Sequence, residues 1–139
     1  MFNHKGEVVG IDLKPVSIKL PGHVKVYTAD VFSDELADII GKNFNVVLSD
    51  MAPSTTGNKN VDAARSFELC QAAFSIAQNL LVPGGAFVCK IFQGEDFKLF
   101  SDSVKKAFKN HKIFKPQSCR KASKEIYIIG IGKVSGVRC

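Results

Sequence analysis

Asp12, Asp30, Asp50 and Lys90 are the residues whose type and setting could support chemistry, because each lies at or near the end of a strand-like run. A carboxylate at a strand end can accept hydrogen bonds from ribose hydroxyls in nucleotide-binding α/β folds. A lysine inside an apolar strand costs free energy unless its ammonium reaches an opposite charge or a cleft. Placed beside acids, such a lysine can steer a hydroxyl or accept its proton. Each residue also has a plainer explanation: Asp12 and Asp30 close turns, and Lys90 snorkels to solvent. Parallel strands would bring all four to one sheet edge, where ligands bind in open α/β folds.

The elements that must position them follow from the apolar pattern. Phe44–Ser49 is a β-branched, apolar run that ends in Asp50 and is stopped by Pro53. It reads as a buried parallel strand delivering a carboxylate to the carboxyl edge. Glu7–Leu13 and Val24–Thr28 read as strands leading to Asp12 and Asp30. A helix is expected over 34–41, with Ser33 as N-cap, Asp34 and Glu35 in its first turn and Gly41 as its stop. The polar stretch from Pro53 to Asn60 is expected to be a flexible loop and a substrate contact.

The longest predicted helix runs from Val61 to Leu81, with Ala64, Phe67, Leu69 or Cys70, Phe74, Ala77 and Leu81 as its apolar stripe. A tight turn over Val82–Gly85 leads into a strand over Ala86–Phe92 that carries Lys90. A helix opened by Gln93-Gly94-Glu95 turns Phe97, Phe100, Val104 and Phe108 inward. Lys98, Lys105, Lys106 and Lys109 lie on its outer face, which is either simply solvated or tracks phosphates. Lys112–Lys115 and Glu125–Ile131 read as an antiparallel hairpin at a sheet edge, joined by a loop with Arg120 and Lys121. The order predicts an α/β, doubly wound sheet with an antiparallel last strand.

The bulk numbers agree with one such domain over 1–139, its last residues (133–139) frayed. Hydrophobic residues make up 45% and charged residues 23%, and no apolar run is long enough to span a membrane. No signal-peptide pattern opens the chain, so the expected location is cytoplasmic, with a mitochondrial form left open. A net charge of +6 and a pI near 9.2 favour an anionic partner, nucleic acid first. Cys70, Cys89, Cys119 and Cys139 are scattered, as are His4, His23 and His111, so reduced thiols and no metal site are expected.

Three stretches are distinctive: Leu48-Ser49-Asp50-Met51-Ala52-Pro53, the run from Pro83-Gly84-Gly85 through Lys90 to Phe92-Gln93-Gly94, and Ser118-Cys119-Arg120-Lys121-Ala122-Ser123-Lys124-Glu125-Ile126-Tyr127. From about Val8 to Gly132 the chain resembles the FtsJ/RrmJ family of S-adenosylmethionine-dependent RNA ribose 2′-O-methyltransferases. The resemblance implies a Rossmann-like methyltransferase sheet and S-adenosylmethionine as cofactor. The family's Lys-Asp-Lys-Glu set has its last three members at Asp50, Lys90 and Glu125. The resemblance also implies that Asp12 holds the cofactor ribose, that Asp30 lies beside the adenine, and that Asp50 is close to the methionine part. The implied substrate is a uridine of large-subunit ribosomal RNA, with the large ribosomal subunit as partner.

Such a reaction needs a ribose hydroxyl aligned with a sulfonium-bound methyl, and a group to steer the hydroxyl or take its proton. Lys90 is the candidate, with Asp50 and Glu125 orienting it. Carboxylates beside a lysine favour its ammonium form, which works against its role as a base.

The family's first lysine, first strand and glycine-rich turn have no counterpart here. Lys5, Lys121 and Lys124 are the candidates to replace the charge. The strands ending at Asp12 and Asp50 would each lack the neighbour the family places between them. The activity of the shortened chain is therefore an open expectation, and so is its oligomeric state. A non-catalytic RNA-binding module is the alternative reading. A nicotinamide-dependent enzyme would fit Asp12, but the Ser-Asp-Met-Ala-Pro run, Lys90 and the lack of GxGxxG argue against it.

Overall fold

Strand pairing follows the apolar runs closely. The computed structural model describes residues 6–116 and 125–134. Contacts divide the chain into two compact units, with the boundary between Gly41 and Lys42. The first unit holds β1 (Val8–Asp12), β2 (Val24–Thr28) and the short α1 (Leu36–Ile40). β1 and β2 are parallel, in register from Val8 opposite Val24 to Asp12 opposite Thr28. α1 starts later than the sequence predicts, and Ser33 does not cap it. The Ser33 hydroxyl instead accepts the Glu35 N–H at 3.2 Å, a local turn that competes with helix. Gly41 stops the helix as expected, at φ 89°.

The second unit contains β3 (Phe44–Ser49), α2 (Lys59–Leu80), β4 (Leu81–Phe92), α3 (Phe97–Ala107), β5 (Phe108–Phe114) and β6 (Glu125–Lys133). The strand order is β3-β4-β6-β5, with β3 parallel to β4 and β6 antiparallel to both its neighbours. The antiparallel last strand is thus present, and β5 forms the edge. Among the described residues, β1 pairs only with β2, and β3 only with β4.

Several boundaries differ from the sequence reading. β4 begins at Leu81, and the turn expected at Val82–Gly85 is looped out of its ladder. Phe44 pairs with Leu81 and Val46 with Ala86, so the extra residues bulge where Gly84 takes φ 86°. β5 begins at Phe108, because α3 passes directly into the strand. Phe108 therefore packs from the sheet, its ring stacked on Phe87 with centroids 6.1 Å apart.

One face of the four-stranded sheet makes the core. Phe87, Cys89, Ile91 and Ile128 meet Cys70, Ala73 and Ala77 of α2 and Phe100 and Val104 of α3. Each large side chain buried here stabilises the fold by about 2–3 kcal/mol. β3 is not buried on both faces as its composition suggests. Val47 packs on the core, whereas Val46 and Leu48 point away and Leu48 is 72% exposed. The buried face of α2 keeps most of the predicted stripe: Cys70, Ala77 and Leu81 lie in the core, and Phe67 and Phe74 pack against it. Ser66, Cys70, Ala73, Ala77 and Leu80 are buried and Ala64 is exposed. Small and polar residues line that face because they reach the backbone of β4, as described below.

Lys133, at the end of β6, closes α2. Its ammonium donates to the carbonyl oxygens of Gln78 and Leu81, the latter at 2.9 Å, where the helix leaves carbonyls unsatisfied. Lys133→Met keeps the stem and removes the charge. We expect it to lower stability by about 1 kcal/mol, read as a fall in the urea midpoint with unchanged slope. Among the described residues, no helix is long and apolar enough to cross a membrane.

Candidate active site

Two groups of the sequence-predicted residues come together, one in each unit. In the first, Asp12 ends β1 and Asp30 follows β2. The Ala29 N–H donates to the Asp12 carbonyl oxygen at 3.0 Å, which ties the two strand ends together. Each carboxylate holds its own turn through Oδ1. Asp12 accepts the Lys14 N–H at 3.0 Å and Asp30 the Phe32 N–H at 2.9 Å. Both side chains are exposed, and among the described residues each Oδ2 is left to accept from elsewhere. The turn role and the ligand role suggested for these aspartates are therefore compatible.

In the second unit, strand alternation sets the stage. Phe87, Cys89 and Ile91 point into the core, so Lys90 points to the opposite face. On β6, Ile126 and Ile128 point inward, so Glu125 and Tyr127 share the face of Lys90. The β4–β6 register puts Tyr127 directly opposite Lys90 and Glu125 opposite Phe92. The β3–β4 register pairs Ser49 with Cys89, which brings Asp50 alongside Lys90.

The result is a compact ionic cluster. Lys90 Nζ lies 3.2 Å from Asp50 Oδ1 and 3.5 Å from Glu125 Oε1. The lysine side chain is only 11% exposed, whereas Asp50 is 75% exposed. Burial alone would lower the lysine pKa, but the hydrogen bond and charge of Asp50, with the charge of Glu125, hold it above the usual lysine range. Lys90 is an ammonium at neutral pH, so the opposition between acid and base roles is decided toward the charged form.

Tyr127 completes the cluster and has no counterpart in the sequence reading. Its hydroxyl donates to Asp50 Oδ1 at 3.3 Å. Loss of solvent and the neighbouring Asp50 carboxylate push the phenol pKa up, so it stays a donor. The available signal is its spacing from Glu125, since residues two apart on a strand share a face. Both Lys90 and Tyr127 use Oδ1 of Asp50. Among the described residues, Oδ2 faces solvent without a protein partner.

The far end of the loop after β3 is tied to the start of α2. The carboxylate of Asp62, buried in the first turn of α2, accepts both the backbone N–H and the hydroxyl of Thr56 at 2.9 Å. The Thr56 N–H chiefly holds its pKa below the usual carboxylate range. Asn58 caps α2 by accepting from the N–H groups of Asn60 and Val61 at 3.0 and 3.2 Å. Lys5, Arg120, Lys121, Lys124, Cys119, Cys139 and most of the predicted frayed tail lie outside the described residues.

Solved structures share this fold. A Plasmodium falciparum protein assigned to the ribosomal RNA methyltransferases superposes with a TM-score of 0.75 at 24% identity, over 94% of this chain and 74% of that one. Human methyltransferase-like protein 13, solved with SAH, superposes with a TM-score of 0.59 at 15% identity, over 97% of this chain and 65% of that one. The fold is thus that of the α/β methyltransferases. The FtsJ-like methyltransferase family matches residues 1–133, and the chain belongs to that family. It is 58% identical over 130 residues to the ribosomal RNA large subunit methyltransferase E of Desulforapulum autotrophicum, covering 92% of this chain. The corresponding protein of Desulfatibacillum aliphaticivorans is 53% identical over 133 residues, 94% of this chain. The chain spans 64% of the length of both relatives.

Proposed function

We propose that the chain carries the reaction site of an S-adenosylmethionine-dependent methyltransferase acting on a ribose 2′-hydroxyl, a uridine of large-subunit ribosomal RNA. The observation that carries this reading is the buried-stem ammonium of Lys90 held between Asp50 and Glu125 at a sheet edge. The identity to large-subunit methyltransferases supports the substrate class. The exposed Lys105, Lys106 and Lys109 suit a phosphate backbone near the site's own unit.

The carboxylate acceptors of the first unit fit the nucleoside part of the cofactor. Asp12 offers a carboxylate oxygen for ribose hydroxyls, and Asp30 offers another one strand away for the adenine amino group. When bound, S-adenosylmethionine supplies an electrophilic methyl on a sulfonium. Lys90 Nζ, as an ammonium, donates a hydrogen bond to the ribose 2′-oxygen and holds its lone pair in line. Asp50 Oδ2 accepts the hydroxyl proton as the oxygen becomes an ether, and Tyr127 keeps the carboxylate in orientation through Oδ1. Glu125 fixes Lys90 from the other side. The proton thus passes to the carboxylate, and Lys90 steers.

Calorimetric titration of S-adenosylmethionine into the chain tests the cofactor half. Saturable binding is expected, weakened about 10- to 100-fold in Asp12→Ala by loss of a charge-assisted hydrogen bond. Absence of binding by a folded chain, or equal affinity in the variant, would refute the assignment of Asp12.

A further inference from the structure

We infer that Ser66 and Cys70, one helical turn apart on α2, are positioning residues that hold the segment of β4 carrying Lys90. This rests on the reading of Lys90 given above. The β3 ladder accompanies β4 only as far as Ser49 opposite Cys89, while β6 continues to Phe92 opposite Glu125. Among the described residues, β4 from Lys90 onward therefore has a strand on one side only. Its backbone groups on the open side need other partners in a dry interior.

α2 supplies them. The Cys70 thiol donates to the Lys90 carbonyl oxygen at 3.1 Å, and the Phe92 N–H donates to the Ser66 hydroxyl oxygen at 3.0 Å. Residues two apart on a strand direct their backbone groups to the same side, and residues four apart on a helix share a face, so the two pairs form one clamp. Both side chains are 1% exposed. Cys70 also touches Cys89, and Cys89 touches Ser49, the residue just before Asp50. A buried string of small polar side chains thus links both strand ends that bear the ionic cluster. An apolar side chain at 66 would take the partner of the Phe92 N–H away, and one at 70 would leave the Lys90 carbonyl oxygen only the longer, 3.6 Å contact of the Cys89 thiol.

The test uses the full chain with nitrogen-15 backbone and carbon-13 lysine labels. Lys90 is titrated by NMR against the Asp50, Glu125 and Tyr127 groups that face it, and exchange of the Phe92 amide is followed. Ser66→Ala and Cys70→Val are expected to speed Phe92 exchange and to bring the Lys90 titration down toward that of an exposed lysine. Ser66→Thr and Cys70→Ser, which keep the hydrogen-bonding groups, restore both. Ser101→Ala is the control: it removes a buried hydroxyl bonded to His111 at 3.1 Å, away from this strand end, and leaves Lys90 unmoved. In methyl transfer, the disruptive pair should lower kcat about 10-fold with KM for RNA nearly unchanged.

Unaltered Lys90 titration and Phe92 exchange in both disruptive variants would overturn the proposal, as would an equal effect from Ser101→Ala. If Lys90 shifts but neither the chain nor the chain fused to the unmatched residues of the Desulforapulum relative transfers a methyl group to ribose, the clamp stands and the catalytic reading of Lys90 falls.

Discussion

Replacing Lys90 with methionine should abolish methyl transfer while leaving the fold almost as stable. Lys90→Met removes the donor proposed to align the 2′-oxygen, and a single positioned polar group of this kind contributes about 10³-fold to rate. Stability should change by no more than about 1 kcal/mol, since Met fills the buried stem and the exposed carboxylate of Asp50 stays hydrated. The pH dependence separates the two effects. The folded-state pKa of Lys90 lies above its unfolded value, so its contribution is complete below the unfolded pKa. It is lost as pH rises through the folded pKa. Lys90→Met should therefore lose part of the alkaline decline in urea midpoint that the parent shows. A large loss of stability at neutral pH would mean that the lysine is structural.

The largest effect on folding is expected at Gly130. It lies buried on β6, opposite Phe87 on β4 and His111 on β5. A Cβ there would sit 2.6 Å from Cγ and Cδ2 of Phe108. That ring cannot easily retreat, because it stacks on Phe87, which is fully buried. Gly130→Ala should cost about 3 kcal/mol by overpacking, lowering the thermal midpoint on the order of 10 °C for a domain of this size. Phe108→Leu in the same chain should recover part of the loss, since the two changes meet at one contact. Equal stability of Gly130→Ala and the parent would show that the stacked pair is not packed as described.

Much of the site was legible in the sequence because strand ends obey a simple rule. An apolar run that stops at a charged residue names both the strand and the edge it delivers to, and this places Asp12, Asp30, Asp50 and Lys90. Glu125 was legible only through the resemblance to a family, and Tyr127 only once its register opposite Lys90 was known. What escaped detection was polar burial. Ser66 and Asp62 face inward on α2 because each satisfies a particular backbone group, and hydropathy ranks such residues as exposed. The same limit misjudged β3. Its Val and Leu residues suggested a buried parallel strand, yet among the described residues it has a neighbour on one side only, and Leu48 is exposed. Composition reports what a strand could bury, and pairing decides what it does bury.

We propose above that this chain's Lys90 cluster methylates a ribose oxygen. The most direct measurement is transfer of labelled methyl from S-adenosylmethionine to undermethylated large ribosomal subunits. It would use the chain alone and the chain fused to the residues of the Desulforapulum relative that it does not match. Nuclease digestion then locates the label. Label is expected on a single ribose 2′-oxygen and is lost in Lys90→Met. Label on a base, transfer that survives Lys90→Met, or no transfer even by the fused chain would contradict it.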